Sequence, residues 1–428
     1  MTLACDIQHT EYIAQLARHM VSVPSTSTEC QKRGSVALIV RLVIDKSQRF
    51  PVFKTPRCLD SATPSELVQC VHSFLKQPDF VDSRAQVLFI QRAKYPGDPW
   101  SGHIGFPGGK REPSDISDRE TAERETREEL GLDLSDPNKF LYMGRLDDTS
   151  VMSFFNRLIM VVSPNVYLQI VEGTPELVIS DEVASVHWVD FEQMLKRIDN
   201  PVVPFASDYK AIPVDIASRT FVSYRKTNPW WFRVFRRMFG NLYYTVLPLQ
   251  YTVGNTLNGP SKFNNIDDAA AARKSSSKLD LDYGDLEFAT DSELYLWGLS
   301  LVMLCNLVDL SLPFDPRSVN TGYISIASPW PQMQRYLWAD FNWMVNAAHR
   351  YLWGHYSRKP WLLSMRTDRM GAREVGQHVD YFKAYFRASK LAFAVSCVIK
   401  TLALYQSSKL VFAGLGYLVD TFLGEKKS

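Results

Sequence analysis

The segment from Gly108 to Leu132 constrains this chain more than any other stretch of its 428 residues. It combines a glycine pair, a helix start, a helix stop and a cluster of acids. Two consecutive glycines allow the backbone to approach a neighbouring group closely. Ser117 followed by Glu120 is a capping-box pattern and predicts that a helix begins just after Ser117. Gly131 suits the left-handed residue that ends a helix.

Three glutamates crowd one turn of this predicted helix. Glu125 and Glu129 are four residues apart and therefore share a face, with Glu128 beside them. Carboxylates this close repel one another unless a cation lies between them, and such hard oxygen ligands suit Mg²⁺ or Mn²⁺. Arg124 can pair with Glu128 at the i,i+4 spacing. A solvated charged helix, whose arginines pair with its glutamates, is the alternative reading of the same stretch.

The spacing of these residues resembles the Nudix box, in which Gly, Glu, Arg-Glu, Glu-Glu and Gly follow one another at fixed intervals. Asp115 stands where the general pattern has Glu, eight residues rather than seven before Arg124, and Thr126 replaces an aliphatic residue. The residues that take the corresponding places are Gly109, Arg124, Glu125, Glu128, Glu129, Gly131 and Leu132.

The departures are similar to those of the coenzyme A diphosphatase branch, whose box has an aspartate and one extra residue. The run from Val87 to Lys110 also resembles the upstream element of that branch, although Ile90 and Ala93 differ from it, so this resemblance is partial. The upstream residues that fit are Arg92, Gly102, Phe106, Pro107, Gly108 and Gly109.

The Nudix resemblance implies an α/β fold, an α/β/α sandwich with a mixed sheet, and the alternation of predicted strands and helices agrees with it. We expect an N-terminal segment at 1–32, a Nudix domain at 33–313 with insertions at about 47–84 and 216–285, and a Trp-rich, basic, mainly helical region at 314–428. Strands are predicted at residues 35–44, 86–91, 140–145, 157–162 and 183–189. Helices are predicted at residues 65–75, 191–197, 228–244 and 291–310, the last from the capping pattern of Thr290 and Glu293.

The box supports hydrolysis of a pyrophosphate bond, because divalent ions would bridge the glutamates to phosphate oxygens. Glu125 and Glu129 are the expected metal ligands, and Glu128 binds a further metal or helps to deprotonate water. The Gly109 carbonyl is a further candidate ligand. Arg124 holds the side chain of Glu128.

Candidates outside the box are fewer. Glu182 resembles a Nudix loop glutamate and is a candidate late ligand or base, with a surface carboxylate as the alternative. Arg92 and Lys110 are candidate phosphate contacts, or else ordinary surface charges. His103 and His187 lack the partner spacing of a metal site, and we expect a structural role for both.

The favoured substrate is coenzyme A or acyl-coenzyme A, because of the branch resemblance. A dinucleotide, nucleotide sugar or oxidised nucleotide is one alternative. A membrane-associated nucleotide-binding or scaffold protein without turnover is another, since the box alone does not set specificity.

Composition adds few constraints. A net charge of +2 with 22% charged residues gives no global nucleic-acid character, so the expected partner is a nucleotide-type small molecule. The six cysteines contain no CxxC pair, which favours an intracellular, reducing compartment over a disulfide framework. Acids within the first thirty residues and the lack of a basic start argue against a secretory signal.

Two regions leave alternatives open. Residues 216–266 contain no acid, and the predicted helix at 228–244 fits either a membrane interface or core packing. Leu391 to Leu423 is apolar, but Lys400, Lys409 and Asp420 divide it into uncharged runs of 9, 8 and 10 residues. These runs are short of the ~18–20 residues that span a bilayer. The region is read as a helical extension packed on the domain, as a homodimer contact, or as a peripheral membrane attachment.

Overall fold

The computed structural model comprises a mixed sheet between helical layers. Its described residues are 9–22, 30–44, 50–54, 63–80, 82–94, 102–152, 158–173, 175–191, 194, 210–215, 227–239, 241–250, 256–258, 293–311, 343–348, 350–352 and most of 387–415. The helices are α1 (His9–Ser22), α2 (Pro64–Leu75), α3 (Asp118–Leu130), α4 (Trp230–Phe239) and α5 (Gly298–Ser311). The strands are β1 (Arg33–Val43), β2 (Arg84–Arg92), β3 (Ile104–Gly105), β4 (Gly108–Lys110), β5 (Phe140–Arg145), β6 (Thr149–Met152), β7 (Leu158–Gln169), β8 (Val183–Asp190), β9 (Lys210–Asp215), β10 (Asn241–Gln250), β11 (Thr256–Asn258) and β12 (Glu293–Leu296).

The main sheet has nine strands, with the order β11-β8-β2-β1-β7-β5 and with β3, β4 and β6 paired to its members. Strands β1 and β7 are parallel, and the other pairs in this sheet are antiparallel. A separate three-stranded sheet has the order β12-β10-β9. The mixed α/β architecture expected from the sequence is therefore confirmed.

Strand β1 is buried on both faces of the main sheet. Leu38 and Ile39 are consecutive and fully buried, and they belong to different hydrophobic clusters because strand side chains alternate. Ile39 packs in the cluster that contains Ala122 and Leu130 of α3. Leu38 packs in the cluster to which α1, α2 and α5 contribute. Burying one side chain of this size stabilises the fold by roughly 1.5–3 kcal/mol.

Helix α1, which the sequence patterns do not predict, belongs to the same core as the rest of the domain. Tyr12 and Leu16 are at most 3% exposed and pack in the cluster that contains Phe74 of α2 and Leu307 of α5. Helix α2 begins with a complete capping box between Thr63 and Glu66. The described part of the N-terminal segment is thus packed on the sheet.

The predicted helices at 228–244 and 291–310 are each partly wrong. Helix α4 ends at Phe239, and the chain continues as β10, so Leu242 pairs with Val214 in a strand. Among the side chains of α4 that the structure describes, Phe232 is buried, while Trp230 is 71% exposed. Residues 293–296 form strand β12 against β10, and helix α5 begins only at Gly298. The predicted helix at 191–197 lies mostly outside the described residues.

The described residues between 387 and 415 are helical, and from 398 onward each one whose side chain is described is exposed. Among the described helices, none is long and apolar enough to cross a membrane.

Candidate active site

Helix α3 begins and ends where the sequence predicts. Ser117 is the N-cap, and its hydroxyl accepts a hydrogen bond from the Glu120 N–H at 3.1 Å. The reciprocal half of the box differs, because the Glu120 carboxylate accepts from the Ile116 N–H. Gly131 ends the helix with a φ of 69°, and its N–H donates to the Arg127 carbonyl. These ends fix which residues of α3 face the sheet.

The glycine bend lies directly against two of the glutamates. The N–H of Gly108, whose φ is 144°, donates to Oε2 of Glu129 at 2.9 Å. A Cβ built on Gly109 would stand 2.4 Å from the carboxylate carbon of Glu125. While Glu125 keeps this position, only glycine fits at residue 109. At residue 108 the backbone of β1 excludes a side chain, because a Cβ there would lie 2.2 Å from the Ser35 carbonyl oxygen.

Arg124 is the centre of an ion-pair cluster that holds the start of this site together. Its Nε and Nη2 donate to the two carboxylate oxygens of Asp115 at 2.9 and 3.1 Å. It also contacts Glu125 at 3.0 Å and Glu128 at 3.2 Å, and it donates to the Lys110 carbonyl at 3.1 Å. The expected pair with Glu128 is present, but the bidentate pair with Asp115 is the more buried one.

Asp115 departs from the general box, and the structure gives it a positioning role. Its carboxylate also accepts from the Glu112 N–H and the Thr121 hydroxyl. These contacts, the Arg124 hydrogen bond first, lower the pKa of Asp115 to about 2. Asp115 is shorter than the Glu of the general box, and its carboxylate accepts hydrogen bonds from both the loop and the helix. It therefore ties the loop before α3 to Arg124.

The three glutamates differ in environment. Glu129 is 4% exposed, Glu125 is half-buried, and the Glu128 side chain is 61% exposed. Burial raises the pKa of Glu129 to about 8; the Gly108 N–H opposes this, and the charge of Glu125 adds to it. Burial also raises the pKa of Glu125, against the effect of Arg124. A cation beside this pair would relieve both the burial and the repulsion.

Glu182 and Arg92 both act electrostatically on Glu129, and Glu182 also acts on Glu125. The charge of Glu182 raises the pKa of both Glu125 and Glu129, and the charge of Arg92 lowers the pKa of Glu129. Glu182 is exposed, and its carbonyl accepts from the Ala93 N–H at 2.8 Å, which joins its loop to the end of β2. The structure therefore brings both candidates to the carboxylate side of α3.

Lys110 is exposed, and it contacts α3 through its carbonyl. Gly109 lies opposite Ser35 of β1 in the β1–β4 ladder. In the described part of the chain, no group of three or more His, Cys, Asp or Glu side chains is close enough to hold a metal ion. Carboxylate oxygens from Glu125 and Glu129 are nevertheless the donor type that Mg²⁺ and Mn²⁺ require.

A second ionic network lies near the start of α3, and the sequence patterns do not predict it. Asp118, the first residue of the helix, pairs with Arg33 of β1 and with Arg111 at 3.2 Å. Arg33 also pairs at 2.9 Å with Asp148, whose side chain is fully buried, and Arg145 lies 3.7 Å from it. Asp148 therefore serves to fix α3 against the sheet. No spacing in the sequence links these five residues, because they come from separate elements.

The two histidines singled out in the sequence are packed in the fold. His187 is 2% exposed and lies 2.7 Å from the Ser185 hydroxyl, which itself donates to Gln91. Burial lowers the pKa of His187 to about 4. His103 stacks at 5.0 Å on Trp297, the residue just before α5. This agrees with the structural role expected for both.

A cavity of about 170 Å³ is lined in part by Arg92, the residue whose charge lowers the pKa of Glu129. Its walls come from the end of β2, from β3 and from the start of α5. His103 and Trp297 supply aromatic surface, and Ser300 supplies a hydroxyl. The lining of the cavity thus combines a cation, aromatic rings and a polar group.

Comparisons with known proteins agree with this geometry. A model of the NUDIX domain matches residues 80–208. An uncharacterised protein of Schizosaccharomyces pombe (strain 972) is 30% identical over 222 residues. That match covers 51% of this chain and 56% of the yeast protein, so the chain spans about half the length of this curated relative.

Two solved structures are similar to parts of this chain, with low TM-scores and low sequence identity. The NUDIX domain of Shewanella oneidensis NrtR with ADP ribose has a TM-score of 0.23 and 14% identity, covering 42% of this chain and 86% of that one. A Caenorhabditis elegans Ap4A hydrolase has a TM-score of 0.22 and 14% identity, covering 39% and 84%.

The family match begins at residue 80, whereas β1, which lies inside the main sheet, precedes it in sequence. The folded unit is therefore larger than the matched segment. The glycine bend, α3 and Glu182 all fall inside that segment. The chain carries a Nudix domain within residues 80–208.

Proposed function

We propose that this chain is a divalent-metal-dependent pyrophosphohydrolase acting on a nucleoside diphosphate linked to another moiety. The observation that carries the proposal is the contact between the glycine bend and two carboxylates of α3. Glu129 accepts from the Gly108 N–H, and Glu125 fills the space that a side chain at residue 109 would occupy. A buried carboxylate and a half-buried one at the same bend are costly in a stable fold unless a cation joins them.

Each residue then has a defined task. Glu125 and Glu129 are the metal ligands, and the Gly109 carbonyl is a further candidate. Bound Mg²⁺ or Mn²⁺ would neutralise phosphate charge and polarise the phosphorus centre. Glu128, which is exposed and contacts Arg124, would accept a proton from an attacking water. Arg124 is a positioning residue, because it contacts Glu125 and Glu128 while Asp115 holds its guanidinium.

Residues at the edge of the site are proposed to contact substrate. Arg92 acts on Glu129 electrostatically and also lines the cavity of about 170 Å³, so it is suited to a phosphate oxygen. Lys110 is exposed beside the bend. Glu182 is the candidate late metal ligand or base, since its charge raises the pKa of both Glu125 and Glu129.

Coenzyme A or acyl-coenzyme A is the favoured substrate, on the sequence resemblance to the coenzyme A diphosphatase branch. The purified full chain would be incubated with Mg²⁺ or Mn²⁺ and a panel of coenzyme A, acyl-coenzyme A, NADH, ADP-ribose and diadenosine polyphosphates. We expect pyrophosphate cleavage of the coenzyme A substrates first. Preferential cleavage of another compound would support the proposed pyrophosphate hydrolysis but contradict coenzyme A as the substrate. No turnover of any compound would favour a nucleotide-binding protein without hydrolase activity.

Matched variants separate the site from the fold. Glu128→Gln and Glu129→Gln should each lower kcat by at least about 100-fold, the scale of a lost general base or charge-stabilising group. Glu172→Gln removes an exposed glutamate in a loop and should leave turnover unchanged. Equal activity in all three variants would contradict the assigned roles.

The cavity beside Arg92 is proposed to receive a part of the substrate that is not hydrolysed. Trp297→Leu should then raise KM about tenfold with a smaller change in kcat, because binding in this cavity is remote from the reacting phosphorus. Trp230→Leu alters a tryptophan that is 71% exposed and is the matched control. An unchanged KM for Trp297→Leu, in a folded protein, would remove the cavity from the substrate site.

A further inference from the structure

The described helical residues between 387 and 415 expose an unusual amount of apolar surface. Large apolar side chains are 41–74% exposed there, although such a patch is normally covered by a partner or a membrane. They are Leu391, Val395, Val398, Ile399, Leu402, Tyr405, Leu410, Val411 and Leu415.

Five of these side chains form one continuous row, the C-terminal stripe. Their spacing alternates between four and three residues, which places them on a single helical face about 20 Å long. The members of the stripe are Leu391, Val395, Val398, Leu402 and Tyr405.

The start of this helix is attached to the protein through a different face. Ala388, Ala392 and Ser396 are at most 5% exposed and follow one another at intervals of four residues. The stripe is displaced from this row, so the contact that buries the small residues leaves the stripe open. A surface held in this way is presented outward by a helix anchored at its first turns.

The charge of the segment indicates what covers the stripe. Residues 381–419 contain no Asp or Glu, whereas they contain the bases Lys383, Arg387, Lys390, Lys400 and Lys409. A second copy of the chain would bring bases against bases. A bilayer with anionic lipids has an apolar interior, which matches the stripe, and a negatively charged surface, which matches the bases of residues 381–419.

The far end of the stripe has the side chains of a membrane interface. Nζ of Lys409 lies 4.7 Å from the ring centroid of Tyr405. Tyrosine and lysine each combine an apolar body with a polar tip and are suited to the headgroup level of a bilayer. The uncharged runs of 9, 8 and 10 residues in the sequence favour a helix that lies along the surface.

We propose that the C-terminal stripe docks on the surface of a bilayer that contains anionic lipids. The apolar row enters the boundary between headgroups and acyl chains, and Lys390 and Lys409 contact lipid phosphates. This binding is independent of the hydrolase activity proposed above.

The test is flotation of the full chain with phosphatidylcholine vesicles, with or without phosphatidylserine. Binding should require phosphatidylserine and weaken at least tenfold when salt rises from about 0.1 to about 0.5 M, because screening shortens the reach of the lysines. Val398→Ser combined with Leu402→Ser should reduce the bound fraction about tenfold or more. Val411→Ser combined with Leu415→Ser removes exposed apolar groups off the stripe and should change binding less than about twofold.

Circular dichroism and thermal unfolding confirm that both double variants are folded. Equal flotation with neutral and anionic vesicles would overturn the role of charge. Equal loss in the two double variants would overturn the role of the stripe. Absence of flotation, with a dimer in analytical ultracentrifugation that the stripe variant abolishes, would replace the bilayer by a second copy.

Discussion

Helix α3 and the helix between 387 and 415 invert the usual relation between polarity and burial. The first has mostly charged residues, yet it buries Glu129, pairs its Asp118 with Arg33 of β1 and pairs its Arg124 with Asp115 of the preceding loop. The second is mostly apolar and leaves large side chains exposed. Burial is decided by available partners: α3 has arginines, a glycine bend and a sheet, whereas the C-terminal stripe has no cover among the described residues.

Removing Arg124 should give the largest effect on stability. Arg124→Ala leaves the buried Asp115 carboxylate without its bidentate partner, and breaking a buried pair in this way costs about 3–5 kcal/mol. The measurement is the free energy of unfolding in urea. Arg127→Ala is the control, because the Arg127–Asp133 pair is about half exposed and should contribute less than about 1 kcal/mol. Equal losses would contradict the partner argument.

Acid should weaken the Arg124–Asp115 ion pair in a defined pH range. The pKa of Asp115 is lowered from 3.8 to about 2, so its contribution to stability is full above pH 3.8 and is lost as the pH falls through about 2. Asp115→Asn should cost about 1.5–3 kcal/mol at pH 6, and the difference from wild type should shrink toward pH 2. Unfolding curves between pH 6 and pH 2 measure it, and a difference independent of pH would be contrary evidence.

Adding one methyl group at the glycine bend should separate activity from stability. Gly109→Ala places a carbon 2.4 Å from the Glu125 carboxylate, so Glu125 must move. We expect at least a tenfold loss of kcat with roughly 1–3 kcal/mol of destabilisation. Gly173→Ala is the control: its φ is 69°, but no atom lies within 4 Å of the place its Cβ would take. Full activity of Gly109→Ala would mean that Glu125 is not needed where it lies.

Changes on the C-terminal stripe should have the smallest effect on stability. Val398→Ser with Leu402→Ser alters side chains that are 59% and 57% exposed, so the free energy of unfolding should change by less than about 0.5 kcal/mol each. Leu130→Ala in α3 removes a fully buried side chain and should cost about 2–5 kcal/mol. A large loss from the stripe variant would show that this helix is packed in solution.

The sequence predicts α3 well because its signals are local. Ser117 and Gly131 act within one turn of the helix ends, and the i,i+4 spacing brings Glu125 next to Glu129. The contacts of Arg33 with Asp118 and Asp148 depend on how separate elements meet. Such contacts have no spacing rule that a single sequence could reveal.

Two predicted helices fail where tertiary pairing outweighs local pattern. The helical periodicity of α4 continues into Asn241–Gln250, although the Tyr, Thr and Val residues there favour a strand. The capping pattern at Thr290 and Glu293 precedes a strand, because Glu293–Leu296 pairs with β10. Helix start patterns therefore locate a helix only where no neighbouring strand competes.

The central claim is that Glu125 and Glu129, set against the glycine bend, bind a divalent cation. Calorimetric titration of the full chain with Mn²⁺ tests it without any substrate. We predict saturable binding whose affinity falls at least about tenfold in Glu129→Gln and is unchanged in Glu172→Gln. Binding of Mn²⁺ with the same affinity in wild type and Glu129→Gln would contradict the account.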